Sequence, residues 1–234
     1  MKATVAEKRE VAKGTLLVLF AVDDYPDYRP GHYFWVELPD RGHSDEKGLR
    51  RHISLATSPT EAGVVGLATR LRETAFKQTL AELEVGDEVQ VEEPKGSFLL
   101  PEDTSPEYVF VAGGIGISVF RSMLRFIADG QLSYRITLVY SNRDRESSAF
   151  LDELDELEQR IDGLRVVLTM TDDSGWEGET RHLDAEVLAE LAAGIDEKTF
   201  LVAGPPAMAV AVSESLLAAG VAEDRVLVDK FSGY

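Results

Sequence analysis

Apolar residues recur at strand spacing through the first hundred positions, and at alternating strand and helix spacing after that. In the first stretch, residues 4–11, 15–22, 33–38, 51–57, 64–71 and 88–91 predict six strands. Turn signals part them: Lys13-Gly14, Arg29-Pro30-Gly31, Ser58-Pro59, Gly86-Asp87 and Pro94-Lys95-Gly96. A helix is predicted over 75–83, with Phe76, Leu80 and Leu83 on one face. Six short strands and one helix predict a small antiparallel barrel.

A polar, proline-bearing linker at 101–106 changes the rhythm. Strands are predicted at 108–112, 135–140, 164–170, 199–203 and 225–228, and helices at 116–128, 149–161, 185–192 and 206–218. Phe150, Leu151, Leu154, Leu157 and Ile161 form the apolar stripe of the second helix, and Asp184 is placed to cap the third. Strand and helix in alternation predict a parallel sheet with right-handed crossovers, which binds ligands at the carboxyl ends of its strands. The chain therefore divides into a barrel domain over 1–103 and an α/β domain over 104–234.

Composition removes several chemistries. The 234 residues include no cysteine, which excludes disulfides, cysteine nucleophiles, thiolate zinc sites and cysteine-held iron–sulfur clusters. The four histidines, His32, His43, His52 and His182, lack metal-ligand spacing, so no metal is expected. Net charge is -18 and only eight of the 24 basic residues are lysine. Such a surface repels nucleic acid and anionic membrane, and it fits a halophilic protein whose carboxylates stay hydrated in a salt-rich cytoplasm. The apolar run at 16–22 is too short to cross a bilayer, so a cytoplasmic location is expected.

Two segments about sixty residues apart carry the candidate chemistry. Arg51-His52-Ile53-Ser54 offers a planar guanidinium for a phosphate and a hydroxyl for a polar ring edge. Thr74 stands before the first helix as a cap, making a second anion site at its start. An arginine plus a separate helix start suits a pyrophosphate, favouring FAD over FMN. Gly113-Gly114-Ile115-Gly116 follows a buried strand and opens a helix, where bare backbone and amide donors receive another phosphate. Gly204-Pro205-Pro206-Ala207-Met208 ends a second strand of that sheet. Tyr140-Ser141-Asn142-Arg143 ends a third, where arginine accommodates a 2′-phosphate, favouring NADPH over NADH. Two nucleotide-type sites in two differently built halves fit a flavin enzyme that accepts hydride.

In this order the segments resemble the ferredoxin–NADP reductase-like flavoprotein superfamily, over nearly the whole chain. Arg51-His52-Ile53-Ser54 is similar to its flavin motif of arginine, any residue, aromatic and serine. Thr69-Arg70-Leu71 and Ala75-Phe76-Lys77 are similar to its second flavin strand and phosphate-facing helix. Gly96-Ser97-Phe98, Gly113 to Ser118, Gly204 to Met208 and Phe231-Ser232-Gly233-Tyr234 follow in the family's sequence.

The resemblance implies an N-terminal antiparallel Greek-key β-barrel for flavin and a C-terminal Rossmann-like α/β domain for NAD(P). It implies Arg51 on the flavin phosphates and Ser54 at the hydride-accepting nitrogen. Backbone at Thr69, Arg70, Leu71, Thr74, Ala75 and Phe76 would complete the flavin site, with His52 and Ile53 alongside. Gly113, Gly114, Gly116, Ile117 and Ser118 would cradle the nicotinamide nucleotide, with Ser141, Arg143, Gly204, Pro205 and Met208. Tyr234 or Phe231 would cover the flavin face. Ile53 departs from the aromatic, Ala203 from a common cysteine and Asp229 from a common glutamate.

The expected activity is transfer of hydride from NADPH or NADH to FAD, and of electrons to a separate acceptor, with ferredoxin leading. Other readings are a free-flavin reductase, an electron-relay subunit of an oxygenase or larger redox complex, and a nucleotide sensor.

Overall fold

A computed structural model describes residues 1–230 of the chain. The first half forms six antiparallel strands: β1 (Lys2–Ala12), β2 (Thr15–Ala21), β3 (Tyr33–Glu37), β4 (Arg50–Ser54), β5 (Val64–Arg70) and β6 (Glu88–Val91). Their order, β4-β3-β6-β1-β2-β5, leaves β4 and β5 as the two edges. The chain closes that gap just past β4, where the Leu55 amide donates to the His32 carbonyl (2.9 Å) and the Ala56 amide to the Gly66 carbonyl (2.8 Å). The strand predicted over 51–57 therefore ends at Ser54. Leu55, Ala56 and Thr57 remain buried, which kept the apolar pattern running while their backbone changed partners.

Helix α1 (Ala75–Glu82) packs against the barrel core. Phe76, Leu80 and Leu83 are wholly buried with Phe20, Phe34, Val36 and Leu67. The Thr74 side chain accepts from the Lys77 amide at the helix start.

The second half is a five-stranded parallel sheet of β7 (Glu107–Gly113), β8 (Arg135–Asn142), β9 (Leu164–Met170), β10 (Thr199–Gly204) and β11 (Val226–Lys230). Its order is β11-β10-β7-β8-β9. The direction of winding reverses between β7 and β10, and an open α/β sheet presents its ligand crevice at such a point. Helices α2 (Ile117–Asp129) and α3 (Leu151–Arg160) cover one face, while α4 (Ala185–Leu191) and α5 (Pro206–Ala218) cover the other. Alternation along β7 serves both: Phe110 and Ala112 face the first layer, Val109 and Val111 the second.

Two helix starts differ from the sequence pattern. A 3-10 turn over Gly114–Gly116 precedes α2. Phe150 takes a left-handed conformation (φ 65°) before α3, so its ring is buried without belonging to the helix. A 3-10 turn at Glu223–Arg225 also takes Arg225 from the last predicted strand.

The α2 and α3 layer is also the floor of the barrel. Leu17, Ala56 and Ala68 from the barrel share one buried cluster with Phe110, Phe120, Met123 and Tyr140. Non-directional apolar burial thus joins the halves.

Candidate functional site

The first part of the site forms where β4 passes the start of α1. Arg51 leaves β4 with its side chain 12% exposed and its guanidinium 5.7 Å from the Phe76 ring centre. Its Nη1 donates to the carbonyls of Lys47 (2.5 Å) and Arg50 (2.8 Å). Its Nη2 is buried with no hydrogen-bond partner among the described residues. The nearest carboxylate, Asp45, lies 3.5 Å away. Asp45 is itself fixed at the helix start, where its Oδ2 accepts from the Ala75 amide (2.8 Å) and its Oδ1 from the Lys47 amide (2.8 Å). The Ala75 hydrogen bond is the largest influence holding the Asp45 carboxyl below its ordinary value.

Lys77 lies in the first turn of α1, 4% exposed. Burial foremost, then the charges of Arg72, Arg51 and Arg70, lower its ammonium to about 8. In a chain of net charge -18, four cations near a capped helix start are an arrangement suited to an anion. A buried guanidinium nitrogen 3.5 Å from the Asp45 carboxylate, and a helix amide that already holds that carboxylate, are donors suited to a phosphate or pyrophosphate. Of these groups, Arg72 and Asp45 escaped the sequence reading, and Lys77 entered it only within the Ala75-Phe76-Lys77 motif, with no role of its own. Asp45 sits in a loop that nothing in the spacing ties to Arg51.

The second part lies at the carboxyl edge of the parallel sheet. Gly113 and Gly204 end neighbouring strands, so near each other that a Cβ on Gly204 would lie 3.1 Å from the Gly113 backbone. A Cβ on Gly116 would lie 2.3 Å from the Ala203 carbonyl oxygen, and one on Gly113 2.1 Å from Met208 Sδ. These glycines are needed for the protein's own close packing. Gly114 differs: it takes φ +51°, and the nearest atom to an added Cβ is Asn142 Oδ1 at 4.0 Å, which leaves its backbone open to a ligand. Nearby, the Asn142 Nδ2 and Thr169 Oγ1 are buried without hydrogen-bond partners among the described residues. Burial alone raises the carboxyl of Asp229, in register with Ala203 on β11.

The two parts adjoin. The 3-10 turn at Gly114–Gly116 packs against β5, the strand of Thr69 and Arg70. Arg70 Nη2 crosses to the Ser147 carbonyl (3.0 Å), and the Leu71 amide holds the Gly14 carbonyl (2.7 Å). Ser54, 6% exposed, ends β4 in register with Tyr33. His52 points to the opposite face of β4 from Arg51, against the rings of Trp35 (4.9 Å) and Tyr33 (5.5 Å). Ile53 packs in the barrel core with Phe34, and Phe76 and Ile117 are likewise wholly internal, so backbone is what Phe76 and Ile117 can offer a ligand. Ser118 is buried, and Thr69 is nearly so. Ser141 pairs between Gly113 and Thr169 at the edge, while Arg143 stands exposed beyond it. Arg145 lies over the Trp176 ring at 5.8 Å. Pro205 is exposed beside the half-buried Met208. Phe231 and Tyr234 lie outside the described residues. Among those described, no group of acidic or histidine side chains could hold a metal, and no helix is long and apolar enough to cross a membrane.

A closed antiparallel barrel with cations gathered at a helix start, set against a doubly wound sheet with a glycine-lined edge, is the two-domain arrangement expected of a flavin and pyridine-nucleotide reductase module. Comparison with known proteins agrees. The family model described as "Oxidoreductase NAD-binding domain" matches residues 110–214. Methane monooxygenase component C of Methylosinus trichosporium is 31% identical over 153 residues, covering 65% of this chain and 43% of that protein. NADH-cytochrome b5 reductase 1 of Ajellomyces capsulatus is 26% identical over 178 residues, covering 72% and 57%. The FAD/NAD-binding domain of nitric oxide dioxygenase from Vibrio cholerae superposes with a TM-score of 0.86, with 23% identity over 98% of each chain. The chain spans about half the length of the curated relatives it matches. These likenesses support a place in the ferredoxin–NADP reductase-like flavoprotein superfamily.

Proposed function

We propose that this chain is an NAD(P)H-dependent flavin oxidoreductase that holds FAD and passes electrons to a separate acceptor, ferredoxin or another redox protein. The observation that carries the reading is the buried Nη2 of Arg51, which makes no hydrogen bond among the described residues and pairs with Asp45 at 3.5 Å, within a cluster of four cations at the start of α1. A diphosphate fits that cluster better than a monophosphate, because the helix amides and the Arg51 fork are separate donors. When bound, FAD supplies a two-electron acceptor at its ring nitrogen, and NAD(P)H supplies the hydride from nicotinamide carbon, leaving NAD(P)+.

The chain's own residues bind and orient. Arg51, Lys77 and the Ala75 and Phe76 amides hold the flavin phosphates, and Ser54 with the backbone of Thr69, Arg70 and Leu71 meets the ring. Gly114 and the turn before α2 receive the nucleotide, with Gly113, Gly116 and Ser118 shaping that turn. Ser141, Gly204, Pro205 and Met208 line the crevice, and Arg143 faces a 2′-phosphate, favouring NADPH. With a net charge of -18, an acidic acceptor would dock best in a salt-rich cytoplasm, where repulsion is screened.

The likeness to a monooxygenase component supports a second reading, a relay subunit that works only within a larger complex. Titrating the flavin-free protein with FAD, FMN and riboflavin tests the site. The proposal expects affinity in the order FAD, FMN, riboflavin; equal affinity for all three would mean that the cation cluster does not hold the phosphates.

A further inference from the structure

We infer that Arg121 is a positioning residue that fixes the angle between the two domains, and through it the distance from flavin to nicotinamide. The inference rests on the proposed function for its consequence, though not for its geometry.

Arg121 lies in the first half of α2, the helix opened by the glycine turn, with its side chain 5% exposed. Its guanidinium reaches across to the segment that leaves β4. Nη1 donates to the Ala56 carbonyl (2.6 Å) and to Glu61 Oε2 (3.0 Å), and Nη2 to Glu61 Oε1 (3.1 Å). Nε donates to Glu153 Oε2 on α3 (2.8 Å), so one side chain holds one carboxylate from each domain. Glu61 is braced in turn, because its Oε2 accepts from the Ser58 amide (2.7 Å). Beside this fork, Ser122 Oγ donates to the Thr57 carbonyl (2.6 Å), and Thr60 Oγ1 donates to Asp129 Oδ2 (2.7 Å).

The geometry matters because of what lies at its two ends. The segment held is the direct continuation of Arg51–Ser54, and the helix holding it is the continuation of Gly113–Gly116. Apolar burial between the domains is non-directional and would allow them to slide. A bidentate fork permits one register. A buried ion pair is weak evidence for stability, and fixing a register is among its best-attested uses. Hydride transfer needs the reacting atoms about 3–3.5 Å apart, so a small change of domain angle would cost rate without touching either cofactor site.

The absence of cysteine allows a direct test. Val85 in the barrel domain and Leu217 on α5 are exposed, so Val85→Cys with Leu217→Cys would carry a pair of nitroxide labels. The labelled pair, with and without Arg121→Gln, is measured by pulsed electron resonance in the whole chain. Flavin affinity and the stopped-flow rate of flavin reduction at saturating NADPH and NADH are measured in the unlabelled proteins. We expect the distance distribution to shift or broaden, flavin affinity to hold within about twofold, and reduction to slow about tenfold or more at unchanged KM. Arg121→Lys, which keeps the charge but loses the fork, should lie between the two and serves if Arg121→Gln does not fold. An unchanged distance distribution in a folded variant would overturn the inference, as would an unchanged reduction rate accompanied only by a lower melting temperature. If the parent chain binds flavin and neither nucleotide reduces it, the proposed function fails, and the distance measurement still decides whether Arg121 sets the angle.

Discussion

Asp45 stands 3.5 Å from Arg51 while its other oxygen accepts the Ala75 amide at the start of α1, so a carboxylate of the chain holds donors that the proposed function assigns to the flavin phosphates. On that assignment flavin would displace it. Asp45→Asn, which keeps the shape and removes the charge, is expected to tighten FAD about fivefold, the scale of one hydrogen bond's net contribution, and to leave riboflavin unchanged. Fluorescence titration measures both; weaker FAD binding in the variant would mean that Asp45 supports the cradle.

Arg51→Ala should weaken FAD by about ten- to a hundredfold, since hydrogen bonds to charged groups contribute roughly 1.5–3 kcal/mol. Arg51→Lys should recover only part of this, because a point charge cannot reproduce the fork. Flavin content after purification and an equilibrium titration check it.

Lys77 links the cradle to pH. Its folded value, about 8, lies below the ordinary lysine value, so between roughly pH 8 and 10.5 the unfolded chain binds more protons than the folded one. Stability of the flavin-free protein from this group should therefore rise with pH across that window, a rise that Lys77→Met should lack. Phosphate would favour the charged form, so FAD affinity should fall as pH rises past 8. Denaturant titrations and flavin titrations at pH 7 and 9.5 measure the two slopes.

The glycines of the sheet edge should separate by role. Gly116→Ala drives a methyl against the Ala203 carbonyl and should destabilise by about 1–3 kcal/mol. Gly114→Ala meets open space, costs backbone strain of about 1 kcal/mol, and should be felt chiefly in nucleotide KM. Arg143→Ala should raise KM for NADPH about tenfold and leave NADH nearly unchanged; equal effects would remove the 2′-phosphate role.

Much of the fold was legible because the apolar spacing changes period with each element. Phe76, Leu80 and Leu83 marked a helix face that is wholly buried, and the alternation along β7 marked a strand covered on both sides. Boundaries failed where burial outlasted hydrogen-bond pairing, as at Leu55–Thr57, and where a buried ring sat just before a helix, as at Phe150. In the site, Arg51 and the glycine turn were legible as local motifs. The roles of Asp45, Lys77 and the Arg121–Glu61 fork were not, because each depends on elements distant in sequence meeting in space, and a charged residue reads as solvated even where, as at Lys77 and Arg121, it is buried. Ile53, read as the apolar residue at the position of a flavin-stacking aromatic, lies in the barrel cluster in register with Phe34.

The most direct measurement is the visible absorbance spectrum of the FAD-loaded protein in high salt, recorded anaerobically before and after NADPH and then NADH. The account predicts a flavin band that bleaches within the enzyme's turnover time, with NADPH the faster donor. A flavin band that persists with both nucleotides would contradict it, because a bound flavin that no pyridine nucleotide reduces is not the acceptor of this site.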